Sequence, residues 1–296
     1  MKIDDTFIED TFAEAFSMKY TKFVISADDR HWLDAAINEC CGYGSSVIAC
    51  DAEIGVSQYP ESVESIDGRI ACEIMAFGFA FESLGKAIAN RIGQSVMTCA
   101  STAVFDGLAE GEERLPLGKQ LRFFGDGFQK SKLIDGRRFW RIPVMDGEFV
   151  VEESLGASRG IAGGNFLIQS VDRASGLNAA KLAVQAINQI PDVMMPFPGG
   201  VVRSGSKVGS RYNKLKASTS DAFCPTLVGR TETKVVAGAN CVYEIVIDGA
   251  DFDSIAKAMA VGIRAACIDG VPAIHAGNYG GKLGKHHFHL REVMEA

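Results

Sequence analysis

The chain has 296 residues, of which 47% are hydrophobic and 23% charged, and a net charge of −7. This composition allows one large or two modest domains with real cores and excludes a disordered chain. With no long basic block, no apolar run of membrane-spanning length and an acidic start (MKIDDTFIED), it also argues against general nucleic-acid binding, a membrane span and a signal peptide.

In chain order, Lys22–Ala27 reads as a short apolar strand. Asp29–Cys41 reads as a helix, with Trp32, Ala35, Ala36 and Cys40 on one stripe, ended by Gly42-Tyr43-Gly44. Val47–Cys50 is the expected return strand. Ile70–Phe77 is a second strand, and Phe81, Leu84, Ala87, Ile88 and Ile92 mark a second helix stopped by Gly93, with Ser95–Cys99 as its return strand. The period then changes. Gln120–Phe124, Arg138–Val144 and Glu148–Val151 read as a meander, with hairpin signals at Asp135-Gly136 and Asp146-Gly147.

The last part of the chain reads as a repeat. Residues 165–209 and 240–284 share one plan: apolar strand, amphipathic helix, apolar run, and a glycine-rich loop with one lysine. Asn165 aligns with Asn240, and Lys207 with Lys282, at an offset of 75 residues, which pairs Gln169 with Glu244. Four βαβ units in all, two per half, predict an α+β fold. Its expected form is two ferredoxin-like (split βαβ) lobes related by internal duplication, residues 1–160 with the inserted antiparallel meander and residues 161–296. Sheet faces left open by the helices would be covered by the other lobe or by a neighbouring subunit. The Gln169 and Glu244 strands are expected in one lobe.

Several motifs bear on chemistry. Gly280-Gly281-Lys282 and Gly205-Ser206-Lys207 lack the spacing of a P-loop, although backbone in either loop can approach an anion closely; two ordinary tight turns are the plainer reading. Residues 201–220 hold Arg203, Lys207, Arg211, Lys214 and Lys216 and no carboxylate. They read as a receptor for a ligand's carboxylates or phosphate, or as a solvated loop or subunit contact. Gly156-Ala157-Ser158-Arg159-Gly160 matches a nucleophile elbow in letters only, because a strand follows it. His286, His287 and His289 lack the partners of a metal site and read as a terminal strand or interface. Eight cysteines, with no C-x-x-C pair, read as scattered packing residues in a reducing cytoplasm.

Glu244 is the sharpest single residue. Its same-face strand neighbours are Val242 and Val246, so its carboxyl should be desolvated and its pKa raised. A carboxylic acid neutral near pH 7 can donate a hydrogen bond or proton to a developing oxyanion. A structural ion pair is the plainer reading, and Glu73, between Ala71 and Met75, has a similar pattern.

Long strings of this chain resemble the formylmethanofuran:tetrahydromethanopterin formyltransferase family. They include Ile8–Phe16, Phe123-Phe124-Gly125-Asp126-Gly127, Ala162-Gly163-Gly164-Asn165-Phe166, Pro196–Gly200, Ser206–Ser210, Cys241–Ile247 and Ala276–Gly284. The resemblance implies an enzyme of one-carbon metabolism, of the kind found in archaeal methanogenesis. It also implies a homotetramer built as a dimer of dimers, no prosthetic group, no nucleic-acid or membrane partner, and methanofuran and tetrahydromethanopterin as coenzyme substrates. It makes Glu244 the catalytic residue. Lys207, Ser206, Lys282, Asn165, Tyr279 and Gln169 are the expected substrate-binding residues. The acceptor amine is itself the nucleophile, so no Ser, Cys or metal is required. The implied acceptor is tetrahydromethanopterin or a close pterin such as tetrahydrosarcinapterin; a formyltransferase with another pterin or folate acceptor, and a ferredoxin-like ligand sensor, are the alternatives.

Overall fold

A computed structural model describes residues 1–58 and 65–295. The chain is α+β, with a large mixed sheet and, among the described residues, six α-helices. It forms two compact units. One is Met18–Gly160; the other joins Met1–Ser17 to Ile161–Ala296. The expected 1–160 lobe is corrected at its start, because the first seventeen residues pair elsewhere. Thr6–Ile8 runs parallel to Ala273–His275, and Phe12–Ala15 pair with His286–His289. Partners more than 250 residues apart are beyond any local pattern. Ala296, the end of the expected second lobe, lies outside the described residues.

In the 18–160 unit the strand order is Glu53–Gln58, Ile70–Gly78, the later part of Phe12–Ala27, then Ala103–Asp106, each pair antiparallel. Helices Arg30–Cys41 and Phe81–Arg91 supply Leu33, Ile37, Leu84 and Ile88 to one core with Phe23, Ile25 and Ile74 of the sheet. Two expected return strands are misplaced. Residues 47–50 form turns and the strand begins at Glu53; Ile92–Val96 is a π-helical turn and the strand begins at Ala103. In both cases an apolar run too short to declare its period belongs to the helix–strand connection. Gln120–Phe124 is helical rather than extended, across Gly118–Leu121 and Arg122–Gly125. The meander is Lys130–Ile134, Arg137–Val144 and Gly147–Glu152. Asp135 and Gly136 form its first turn with φ of 49° and 78°, the left-handed pair that a two-residue hairpin requires.

In the other unit the order is Val193–Met194, Cys241–Gly249, the later part of Ser154–Ser170, then Ala273–His275, again antiparallel throughout. Helices Arg173–Ile187 and Phe252–Ala266 pack together on one face, over Phe166, Ile168, Ile245 and Ile247. The strands of Gln169 and Glu244 are direct neighbours.

The repeat register is corrected. Asp172 and Asp251 cap the two helices alike, each accepting from a serine amide three residues on (Ser175 and Ser254) at 2.8 Å. The preceding strands end at Ser170 and Gly249. Caps and strand ends therefore match at an offset of 79 residues, not 75. Asn165 misled the alignment because it is no strand start; its strand begins at Ser154. The structural counterpart of Glu244 is Asn165, and that of Gln169 is Asp248. Lys207, in the Lys207–Val208 ribbon, and Lys282, in an isolated turn, are not counterparts.

Phe166 is fully buried between the sheet and both helices. Phe166→Ala should cost about 3–5 kcal/mol through lost burial and a residual cavity. Urea denaturation followed by circular dichroism should show the loss, with Asp172→Ala costing only about 1 kcal/mol.

Candidate functional site

Strand register builds a row on the sheet face away from the helices. Val202 bridges Glu244 through two backbone hydrogen bonds of 2.8 and 3.0 Å, Glu244 pairs with Leu167, and Leu167 pairs with His275. At about 4.8 Å per strand, His275 stands about 10 Å from Glu244 across Leu167. Asn165 and Gln169 flank Leu167 on this face.

Glu244 is partly buried, and no hydrogen bond or ion pair reaches its carboxyl among the described residues. Burial alone raises its pKa to about 7. Tyr279 lies close enough for the Glu244 charge to act on it. Its phenol is pushed up first by burial, then by the charges of Glu244 and Glu14. His275 is held below the ordinary histidine range, chiefly by burial, and its ring meets Phe223 edge-on at 4.9 Å. Glu73, the other candidate acid, forms a buried ion pair with Lys22 at 3.4 Å, which is the plain structural role.

The remaining expected site residues divide. Asn165 and Gln169 face the row but use their amides on backbone. Asn165 binds the carbonyl and the amide of Gly277 at 3.1 and 2.6 Å. Gln169, fully buried, donates to Lys234 O and accepts from Val236 N at 3.0 and 2.9 Å. Each pins a loop over the sheet, so neither amide is free for a ligand. Lys207 pairs with Asp221 at 2.7 Å, one residue beyond the stretch that has no carboxylate. Ser206 and Lys282 are exposed.

The Gly280-Gly281-Lys282 loop does surround an anion, but one of the chain's own. Glu14 is 1% exposed and accepts backbone hydrogen bonds from Tyr279, Gly281, Leu283 and Gly284 at 2.6–2.8 Å. Burial pushes its pKa up, and these four bonds reverse that and leave it below the usual range. A Cβ on Gly284 would lie 2.5 Å from Ala15 O, so this contact requires glycine. The role of Glu14 is invisible in sequence, where it is one charge in an alternating strand.

A cleft of about 550 Å³ opens beside the Lys207 ribbon, lined by Lys207, Arg211, Tyr212, Asp221 and Arg230 among others. Glu244 does not line it. Among the described residues no group of three or more His, Cys, Asp or Glu is placed to hold a metal. The rings of His287 and His289 instead meet that of Phe12 in tilted contacts, with centroids at 4.8 and 5.2 Å.

Comparison with known proteins decides the family. Residues 1–144 match the sequence model of formylmethanofuran-tetrahydromethanopterin formyltransferase, and residues 147–293 match its proximal lobe. The chain belongs to the formylmethanofuran–tetrahydromethanopterin formyltransferase family. It is 49% identical to the formyltransferase of Methylococcus capsulatus and 50% to that of Methylobacillus flagellatus, over 99% of this chain and 100% of each relative. The structure of the Methanosarcina barkeri formyltransferase overlays with a TM-score of 0.94 at 44% identity, covering 99% of this chain and 100% of that one. The formyltransferase/hydrolase complex from Methylorubrum extorquens, solved with methylofuran, contains a chain matching at a TM-score of 0.91 and 42% identity, over 97% of this chain and 96% of that one. Bacterial formyltransferases stand among the similar relatives alongside archaeal ones, so family membership does not make the chain archaeal. The chain is a formyltransferase.

The raised pKa of Glu244 has a consequence for formyltransferase stability. The folded state holds this proton more tightly than the unfolded chain, in which glutamate titrates near 4.5. The stabilisation is complete below about pH 4.5 and is lost as pH rises through about 7. Glu244→Gln, which cannot ionise, should therefore melt higher than wild type at pH 8.5, with the gap closing at pH 5. Differential scanning calorimetry at the two pH values checks this.

Proposed function

We propose that Glu244 works as a neutral acid in direct formyl transfer from formylmethanofuran to tetrahydromethanopterin or a close pterin such as tetrahydrosarcinapterin. The pterin amine attacks the formyl carbon, and the carbonyl oxygen becomes an oxyanion. Protonated Glu244 donates a hydrogen bond to that oxygen. The C–N bond to methanofuran then breaks, and the proton lost by the attacking nitrogen reaches the departing amine through the Glu244 carboxyl. The products are 5-formyl-tetrahydromethanopterin and methanofuran. The observation that carries this reading is a partly buried carboxyl that no hydrogen bond or ion pair reaches among the described residues, its pKa raised by burial to about 7.

The cleft of Lys207, Arg211 and Arg230 suits the anionic tail of a coenzyme, with Lys207 already shared with Asp221. Lys282 and Ser206 are exposed and available at the rim, while Asn165 and Gln169 support loops. The matching antiparallel strand orders of the two units favour a split βαβ plan in each, duplicated within the chain. The exposed rings of Phe123, Phe124 and Phe128, each over two-thirds accessible, favour a homotetrameric assembly of dimers. A cytoplasmic location fits eight free thiols.

Formyl transfer from a formylfurfurylamine-type donor to tetrahydromethanopterin by the purified chain, with no added metal, tests the reaction. Transfer to tetrahydrofolate instead, or binding without turnover, would overturn it. Glu244→Gln should lower kcat about a hundredfold or more with KM little changed, and kcat of wild type should fall tenfold per pH unit above about 7. Glu73→Gln should keep kcat near wild type. Arg211→Ala and Arg230→Ala should each raise the KM of a coenzyme about tenfold at constant kcat, the scale of one lost charged hydrogen bond.

A further inference from the structure

His275 shares its row with Glu244, and backbone pairing sets its place. Leu167 pairs with Glu244 on one side and with His275 on the other, so three side chains in line point to one face. Burial agrees: Ile245, Ile168 and Ile274, the next residue or the one before in each strand, all enter the core under the helices. Glu244 and His275 are half-buried and Leu167 between them is buried, so two polar groups stand over an apolar floor. The imidazole is fixed at one end only. Nδ1 meets the carbonyl and the amide of Ala276 at 2.7 and 2.8 Å, and the ring stands edge-on to Phe223. No hydrogen bond reaches Nε2 among the described residues. The shorter Nδ1 contact, to a carbonyl, puts the proton on Nδ1 and leaves the Nε2 lone pair free to accept. Asn165 and Gln169, the polar residues beside Leu167, use their amides on backbone.

Resting on the reading of Glu244 as the acid at the formyl group, we propose that His275 is a specificity-determining residue for the pterin acceptor. Its Nε2 accepts a hydrogen bond from the N–H edge of the pyrimidinone ring and sets the bicycle across Leu167, with the reacting nitrogen at Glu244. Two side chains rising from strands about 10 Å apart leave room for one fused ring system between their ends. The pterin fills that space with a second polar edge. A furan is a single five-membered ring whose one heteroatom, an ether oxygen, has no hydrogen to give Nε2. The acceptor role needs a neutral ring. Burial holds His275 below the ordinary histidine range, and the charge of Lys234, which lies over the Phe223 ring, acts in the same direction. The carboxylates facing it are Glu244, across Leu167, and Glu9, which follows the partner of Ile274 on the next strand. A site built to receive an N–H rejects a ring that lacks one, because its buried acceptor is then left unpaired.

Nitrogen-15 NMR of the His275 ring reads this contact without turnover. Tetrahydromethanopterin alone should shift the Nε2 signal and leave Nδ1 in place, and formylfurfurylamine alone should shift neither. In steady-state kinetics His275→Ala should raise the KM for tetrahydromethanopterin about tenfold, the scale of one lost hydrogen bond. Its kcat and its KM for the formyl donor should stay near wild type. His275→Gln, whose side-chain carbonyl also accepts, should recover most of that loss, and it serves if His275→Ala does not fold. An Nε2 signal that answers to the donor, or to neither compound, would refute the proposal. So would a folded His275→Ala that keeps its KM for tetrahydromethanopterin, or that loses kcat instead. Wild-type protein that transfers no formyl group to tetrahydromethanopterin would refute the underlying functional reading. Wild-type transfer that Glu244→Gln leaves intact would refute the role of Glu244, and the His275 signals would still report their own result.

Discussion

A carboxyl group withdrawn from water must either be hydrogen-bonded in its charged form or give up the charge. Glu14 and Glu244, in the same unit, show the two outcomes. Glu14, surrounded by four backbone amides, stays an anion and becomes a structural joint. Glu244, which no hydrogen bond or ion pair reaches among the described residues, has its pKa raised to about 7 by burial alone. Removal from water affects both, and the placement of N–H groups decides between them. Tyr279 feels both acids: its amide binds Glu14, and its phenol is pushed up by burial and then by the charges of Glu244 and Glu14.

The sheet face that carries Glu244 is not the open surface its helices would leave. Gln169 and Asn165 use their side-chain amides to fix the 234–236 and 277 segments over it. Lys207 and Asp221 close the ribbon beside the basic cleft. Polar residues on this face therefore divide their work: amides hold the loops and the acid is kept free of partners. In the other unit Glu73, buried in a comparable strand, meets Lys22 and is neutralised as a pair. Glu73 has a cation beside it and Glu244 has none among the described residues, so two glutamates with similar local sequence have different roles.

The duplication shows how an alignment can mislead when it starts from the wrong boundary. Asn165 and Asn240 look like two strand starts, and the lysine loops fall at the same spacing. The first strand in fact starts eleven residues before Asn165, at Ser154. The helix caps at Asp172 and Asp251 carry the physical signal, since each ends a strand and starts a helix through the same aspartate-to-serine hydrogen bond. In the corrected register the acid Glu244 stands where its twin has the loop-pinning Asn165.

The sequence by itself determined the α+β class, both helices of each unit, the Asp135-Gly136 hairpin, the family and the singular position of Glu244. The family rests on long strings of matching residues, and the rest follows from periodicity, turn chemistry and the residues flanking a strand, all of which are local. Short return strands were misplaced because four apolar residues do not reveal a period. The tertiary structure alone decided that Met1–Ser17 joins the unit of residues 161–296, that Asn165 and Gln169 bind backbone, that Glu73 has a lysine, and that Glu14 fills the glycine loop. Each is a pairing between distant segments, and a carboxylate's partners, unlike its desolvation, are set by which distant chain comes to rest beside it.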